Sequence, residues 1–134
     1  MAAGSGGGTV ARIDPHPITT ELMRLAPHVY GAALAASRDE DAAADVLERV
    51  LHAAVGERLL DRDRLVERAI RLSVSTKPSQ GFAAMEPLDR EAVALARLAG
   101  YSAADIAATL GVDLDEAKRS MLRCLRTAGS VVPV

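Results

Sequence analysis

The sequence predicts an all-α fold, built as two small helical bundles joined by a short linker. Apolar residues recur at i, i+3 and i+4 along most of the chain, and no stretch alternates strictly as a strand would. Several segments open on Ser or Asp followed three residues later by an acid, the form of a helix cap. The composition agrees: 49% of the residues are apolar but only 2% aromatic. Much of that apolar share is Ala, a strong helix former that buries little area.

In chain order, MAAGSGGG opens a Gly/Ser-rich tail placed at residues 1–16. It lacks the basic-then-apolar order of a signal peptide, so the cytoplasm is the expected location. The first helix starts at Ile18 and carries Leu22, Leu25, Ala26, Val29, Tyr30, Ala33 and Leu34, with a kink or restart expected at Pro27. Ser37 with Glu40 has capping-box form and should open the second helix, whose inner stripe is Ala43, Val46, Leu47, Val50, Leu51 and Ala54. Gly56 is its expected stop. The third helix, from about Asp61 to Val74, turns Leu65, Ala69, Ile70 and Leu72 inward. Arg62, Arg64, Arg68 and Arg71 lie on its outer side, interspersed with acids that suggest ion pairs within the helix.

STKPSQGF is full of breakers and marks a linker at residues 75–85. Pro87 then suits a helix start, with Leu88, Ala92, Val93, Leu95 and Ala96 buried and Gly100 as the stop. Ser102 with Asp105 caps a short helix closed by Gly111. Asp113 with Glu116 caps the last, whose inner stripe is Ala117, Met121, Cys124, Leu125 and Ala128. Residues 129–134 read as a tail. The halves, residues 17–74 and 86–128, are of a size at which a lone core is marginal. They are expected to pack on each other, on a second copy of the chain, or on a partner.

Composition also excludes functions. The formal net charge is -2, which gives no global attraction to nucleic acid or an anionic membrane. No uninterrupted apolar run reaches the ~18 residues of a membrane span. The single Cys rules out a disulfide framework within the chain and a thiolate zinc site. His16, His28 and His52 share no ligand spacing, and Cys124 on an inner stripe reads as a packed thiol. No nucleophile motif, phosphate loop or carboxylate pair stands out, so neither a catalytic role nor a cofactor is expected.

The stretch with most information is YSAADIAATLGVDLDEAKRSMLRCLRTA: a capped short helix, a tight Gly turn and a longer helix, the parts of a helix-turn-helix. With the preceding LDREAVALARLAG it resembles region 4 of the extracytoplasmic-function (ECF) sigma factors of bacterial RNA polymerase, through Gly100, Ser102, Asp105, Ile106, Ala107, Leu110, Gly111, Val112 and Lys118. RLAPHVYGAALAASRDEDAAADVLERVLHAA is similar to the start of sigma region 2, through Arg24, Ala26, Pro27, Tyr30, Ala33, Leu34, Asp39, Ala43, Asp45, Val50 and Ala54.

The resemblance implies three surfaces. The outer face of the second helix, with Asp41, Asp45, Glu48, Arg49 and His52, would dock on the polymerase or another protein, although Arg49 reverses the acid usual there. The third helix would capture a melted strand, but the family's Trp is replaced near Leu65 and no aromatic is present to stack on bases. The last helix would read promoter DNA through Lys118, Arg119, Arg123 and Arg126, with Ser102 at the head of the motif. Against that role, Asp113, Asp115 and Glu116 stand at the groove-entering end, Asp115 is spaced to pair with Arg119, and Leu122 faces outward as in a protein contact. The linker, about 12 residues and at most ~40 Å extended, is short for holding two promoter elements at once.

Three functions stay open: a sigma-like regulator contacting RNA polymerase and promoter DNA, a sigma mimic binding an anti-sigma-type regulator, and a dimeric helix-turn-helix DNA binder.

Overall fold

The computed structural model of the chain describes the backbone of residues 16–131 and the side chains of residues 18–123. Seven helices follow one another there: α1 (His16–Ser37), α2 (Glu40–Glu57), α3 (Arg62–Thr76), α4 (Gln80–Ala83), α5 (Pro87–Ala99), α6 (Ala103–Leu110) and α7 (Leu114–Val131), with no strand among the described residues.

α1 runs unbroken through Pro27. Pro27 has no N–H for the Met23 carbonyl, but Met23 is 68% exposed and water can serve it. On the opposite side Leu22, Leu25, Val29 and Ala33 are buried against α2 and α3, and that packing holds the helix through the proline.

The expected cap at Ser37 lies two residues further on. Ser37 is still helical and its hydroxyl donates to the Ala33 carbonyl at 2.8 Å. Arg38 adopts the left-handed conformation (φ 56°), and the Asp39 carboxylate accepts the Ala42 N–H at 2.9 Å to cap α2. At its other end α2 passes through Gly56 and stops on a second left-handed arginine, Arg58. Ala43, Val46, Val50 and Ala54 are buried as the stripe predicts, while Leu47 and Leu51 are half-buried.

Asp61 caps α3 by accepting the N–H groups of Asp63 and Arg64 at 2.9 and 3.2 Å. Leu65, Ala69 and Ile70 are fully buried and Leu72 is half-buried.

Where a linker is expected, the chain folds a short helix onto the core. Phe82 is 6% exposed, and the Ser79 N–H donates to the Ala36 carbonyl at 2.8 Å, tying α4 to the end of α1. The Arg90 guanidinium donates to the carbonyls of Val74, Phe82, Ala83 and Met85 at 2.9–3.3 Å. The breakers in STKPSQGF do interrupt helix, but one aromatic anchor and one arginine on the next helix order what lies between.

α5, α6 and their stops follow the sequence reading. Gly100 and Gly111 both take φ 72°, and Ser102 and Asp105 form a reciprocal capping box. At the head of α7, the Asp113 carboxylate accepts the Glu116 N–H at 2.8 Å. α7 continues past Ala128 to Val131, into the segment expected to be a tail.

The core has two clusters. One joins α1, α2 and α3 around Leu65; the other joins the end of α1 and the second half of α3 to α4–α7 around Ile70, Leu95 and Ile106. α1 and α3 contribute to both, so the two halves of the sequence pack on each other. Polar bonds cross the same junction: the Tyr101 hydroxyl donates to Glu67 at 2.6 Å, and Arg71 donates to Glu91 at 2.7 Å. Burial, and secondarily the Glu67 carboxylate, push the Tyr101 phenol above its ordinary range, so it stays a donor at any physiological pH.

Candidate protein- and DNA-binding surfaces

Burial of Ala43, Val46, Val50 and Ala54 fixes the orientation of α2 and leaves Asp41, Asp45, Glu48, Arg49 and His52 together on its exposed face. Arg49 pairs with Asp45 at 3.0 Å, both more than half exposed, an i,i+4 pair of little energetic weight. The reversed charge is thus partly neutralised on its own helix. Asp41 lies in the first turn, where the helix dipole favours an acid, so it has a local stabilising role as well.

The arginines of α3 are tied mainly to other helices. Arg68 makes a two-pronged bond to Glu57 at 2.8 and 3.1 Å, which holds the Glu57 carboxyl below its ordinary range. Arg71 reaches Glu91, with Glu67 at 3.9 Å, and Arg62 lies 3.6 Å from Asp63. The strongest pairs therefore connect α3 to its neighbours, where ion pairs within the helix were expected. Arg64 alone of the four is exposed without a partner among the described residues.

On α7 the inward positions are Ala117, buried, Met121, half-buried, and Ser120, fully buried. Cys124 and Arg126 lie outside the residues whose side chains are described. Ser120 donates its hydroxyl to Asp89 of α5, and Arg123 closes a fork on the same carboxylate at 2.9 and 3.1 Å. Arg123 first, then Ser120, lower the Asp89 pKa against the opposing effect of burial. Arg123 also lies 3.7 Å from Glu116, and Arg119 donates to Glu116 at 2.8 Å. Arg119 therefore pairs one turn back with Glu116, not with Asp115 as its spacing suggested. The Ser102 hydroxyl accepts the Asp105 N–H, and the carboxylate of Asp105 in turn accepts the Ser102 N–H.

The residues expected to read DNA are thus dispersed in role. Ser102 is a cap, Arg119 is held by Glu116, and Arg123 anchors α7 to α5. Lys118 is exposed with no partner among the described residues. It stands between Leu114 and Leu122, which are 43% and 51% exposed on the same side of α7 at four-residue spacing. Sequence reasoning found Leu122 but missed the Asp89–Ser120–Arg123 network. A signal was available: Ser120 is a polar residue set one turn from Ala117 on an otherwise apolar stripe, and such a group needs a partner when buried.

Comparison with protein-family models, with curated proteins and with solved structures gives no match.

Proposed function

We propose that the chain is an ECF-sigma-like regulator of bacterial transcription that works by binding protein, with RNA polymerase core or an anti-sigma-type regulator as its partner. The observation that carries this reading is the state of α7: Arg123, which base reading would need, is forked onto Asp89 of α5, and Arg119 is paired, more loosely, with Glu116. What α7 presents instead are Leu114 and Leu122, with Asp113 and Asp115 at its leading end. Apolar side chains in the open suit a protein surface, and carboxylates facing phosphates would oppose DNA. The exposed acidic face of α2 around Asp41, Asp45 and Glu48 is the second contact surface in this reading.

A promoter-binding reading has its own support in the capped helix, left-handed glycine turn and following helix of a helix-turn-helix, with Lys118 outward.

The test is capture of the untagged protein's partners from its own cell extract, identified by mass spectrometry, alongside the double variant Asp45→Arg/Glu48→Arg. Both positions are exposed, so the fold is expected to survive. Recovery of the large polymerase subunits, reduced about tenfold by the variant, is the expected result for a sigma-like contact. Recovery of a small regulator without polymerase supports the mimic. Retention by promoter DNA with neither protein overturns the proposal.

A further inference from the structure

A pocket of about 540 Å³ opens where the end of α1 meets α4 and α5. Its volume falls in the range of small-molecule sites. Ala35, Phe82 and Leu98 line it with apolar surface, and no carboxylate borders it. Two guanidinium groups do, Arg38 and Arg97, both exposed and neither with a side-chain partner among the described residues. Arginines elsewhere in the fold mostly sit on carboxylates or carbonyls, as Arg68, Arg71, Arg90 and Arg123 do.

The Arg38 backbone finishes α1, but its side chain takes no part in that. The Ala33, Leu34 and Ala36 carbonyls already accept from the Ser37 hydroxyl, the Arg38 N–H and the Ser79 N–H. Arg38 takes the left-handed conformation that ends α1, as Arg58 does for α2, and its side chain stays at the pocket rim. Ser79 precedes α4 but its hydroxyl makes no cap bond, which leaves it available at the rim beside Gln80. Gly81 also lines the pocket, and a Cβ built there meets nothing within 4 Å, so no packing demand explains a glycine inside this helix.

From the apolar lining and the two available guanidinium groups, we infer that this pocket binds a small organic anion with an apolar body. The anionic group, a carboxylate, phosphate or sulfonate, would lie between Arg38 and Arg97, where charge-assisted hydrogen bonds are strongest. Its apolar part would cover Phe82 and Leu98. A ligand there would touch α1, α4 and α5 together, and so bear on how the two halves are held.

The probe is 8-anilinonaphthalene-1-sulfonate, with the uncharged N-phenyl-1-naphthylamine as its counterpart, each titrated by fluorescence into the full chain. The expected result is saturable one-site binding of the sulfonate, with the neutral compound about tenfold weaker or more. Arg38→Gln/Arg97→Gln should weaken sulfonate binding by a similar factor, and Gly81→Phe should block it by filling the space. Equal binding of both compounds, unchanged affinity in the arginine variant, or no saturable binding overturns the inference. Were Gly81→Phe to disturb α4, the comparison of the two compounds on the unaltered chain still decides.

Discussion

Replacing Leu65 with Ala is expected to destabilise the fold by about 3–4 kcal/mol, near the upper part of the range for large-to-small core changes. Leu65 is fully buried, the largest such side chain in the cluster that joins α1, α2 and α3. The same cluster is rich in alanine, with Ala33, Ala43, Ala54 and Ala69 buried in it, and alanine has no side-chain length with which to reach into a void. The cavity should therefore persist, and persistence is what makes such changes costly. Urea titration would show the loss, with a fall in Tm on the order of 15 °C for a chain of this size. Leu122→Ala is the control: it is half exposed and should change stability by less than ~0.5 kcal/mol. A Leu65→Ala loss as small as that of the control would contradict the described core.

The second large effect is expected from Asp89→Ala, about 2–3 kcal/mol. Its carboxylate serves the buried Ser120 hydroxyl and the Arg123 fork, so truncation leaves Ser120 without its partner in the core. The cost stays below that of a fully buried ion pair because Arg123 is 45% exposed and water can reach it.

The pH dependence follows from the lowered pKa of Asp89. A carboxyl with a depressed folded pKa contributes stability that is complete above its unfolded value of ~3.9 and is lost as pH falls through the folded value. Asp39, Glu57 and Asp105 are lowered as well, held by backbone N–H groups, Arg68 and the Ser102 cap. Urea midpoints measured downward from neutral pH should therefore decline through the acid range. The decline should be shallower, though not absent, in Asp89→Ala. Parallel curves for the two proteins would exclude Asp89 as a contributor.

Six of the seven described helices, the Ser102–Asp105 box, the stops at Gly100 and Gly111 and most of the buried stripe were legible in the sequence because each depends on neighbours within four residues. The failures share a different cause. Asp39 displaced Ser37 as the cap because the left-handed Arg38 ended α1 a turn later than the pattern suggested, and a left-handed arginine has no sequence signature. The linker was misread because its order depends on Phe82 reaching the core and on Arg90, eight residues after Phe82, gathering four carbonyls.

The candidate surfaces divide along the same line. The exposed face of α2 follows directly from its buried stripe, and its five residues do lie together. The fate of Arg123 is settled by Asp89, more than thirty residues earlier, and Arg119 chose Glu116 over the equally well-spaced Asp115. Spacing proposes partners for a long cationic side chain, but only the packing of α5 against α7 selects among them.

The proposal that α7 keeps its cations from DNA is open to test by fluorescence anisotropy of labelled duplexes titrated with the chain across a range of salt. With Lys118 as the one exposed cation of the described part of α7 lacking a partner, the expected result is weak binding, alike for promoter-like and shuffled sequences. Its log–log salt slope should be only about −1 to −2. Tight binding that prefers one sequence, with a slope of about −4 or steeper, would mean that Arg119 and Arg123 leave Glu116 and Asp89 for the groove, and would contradict the account.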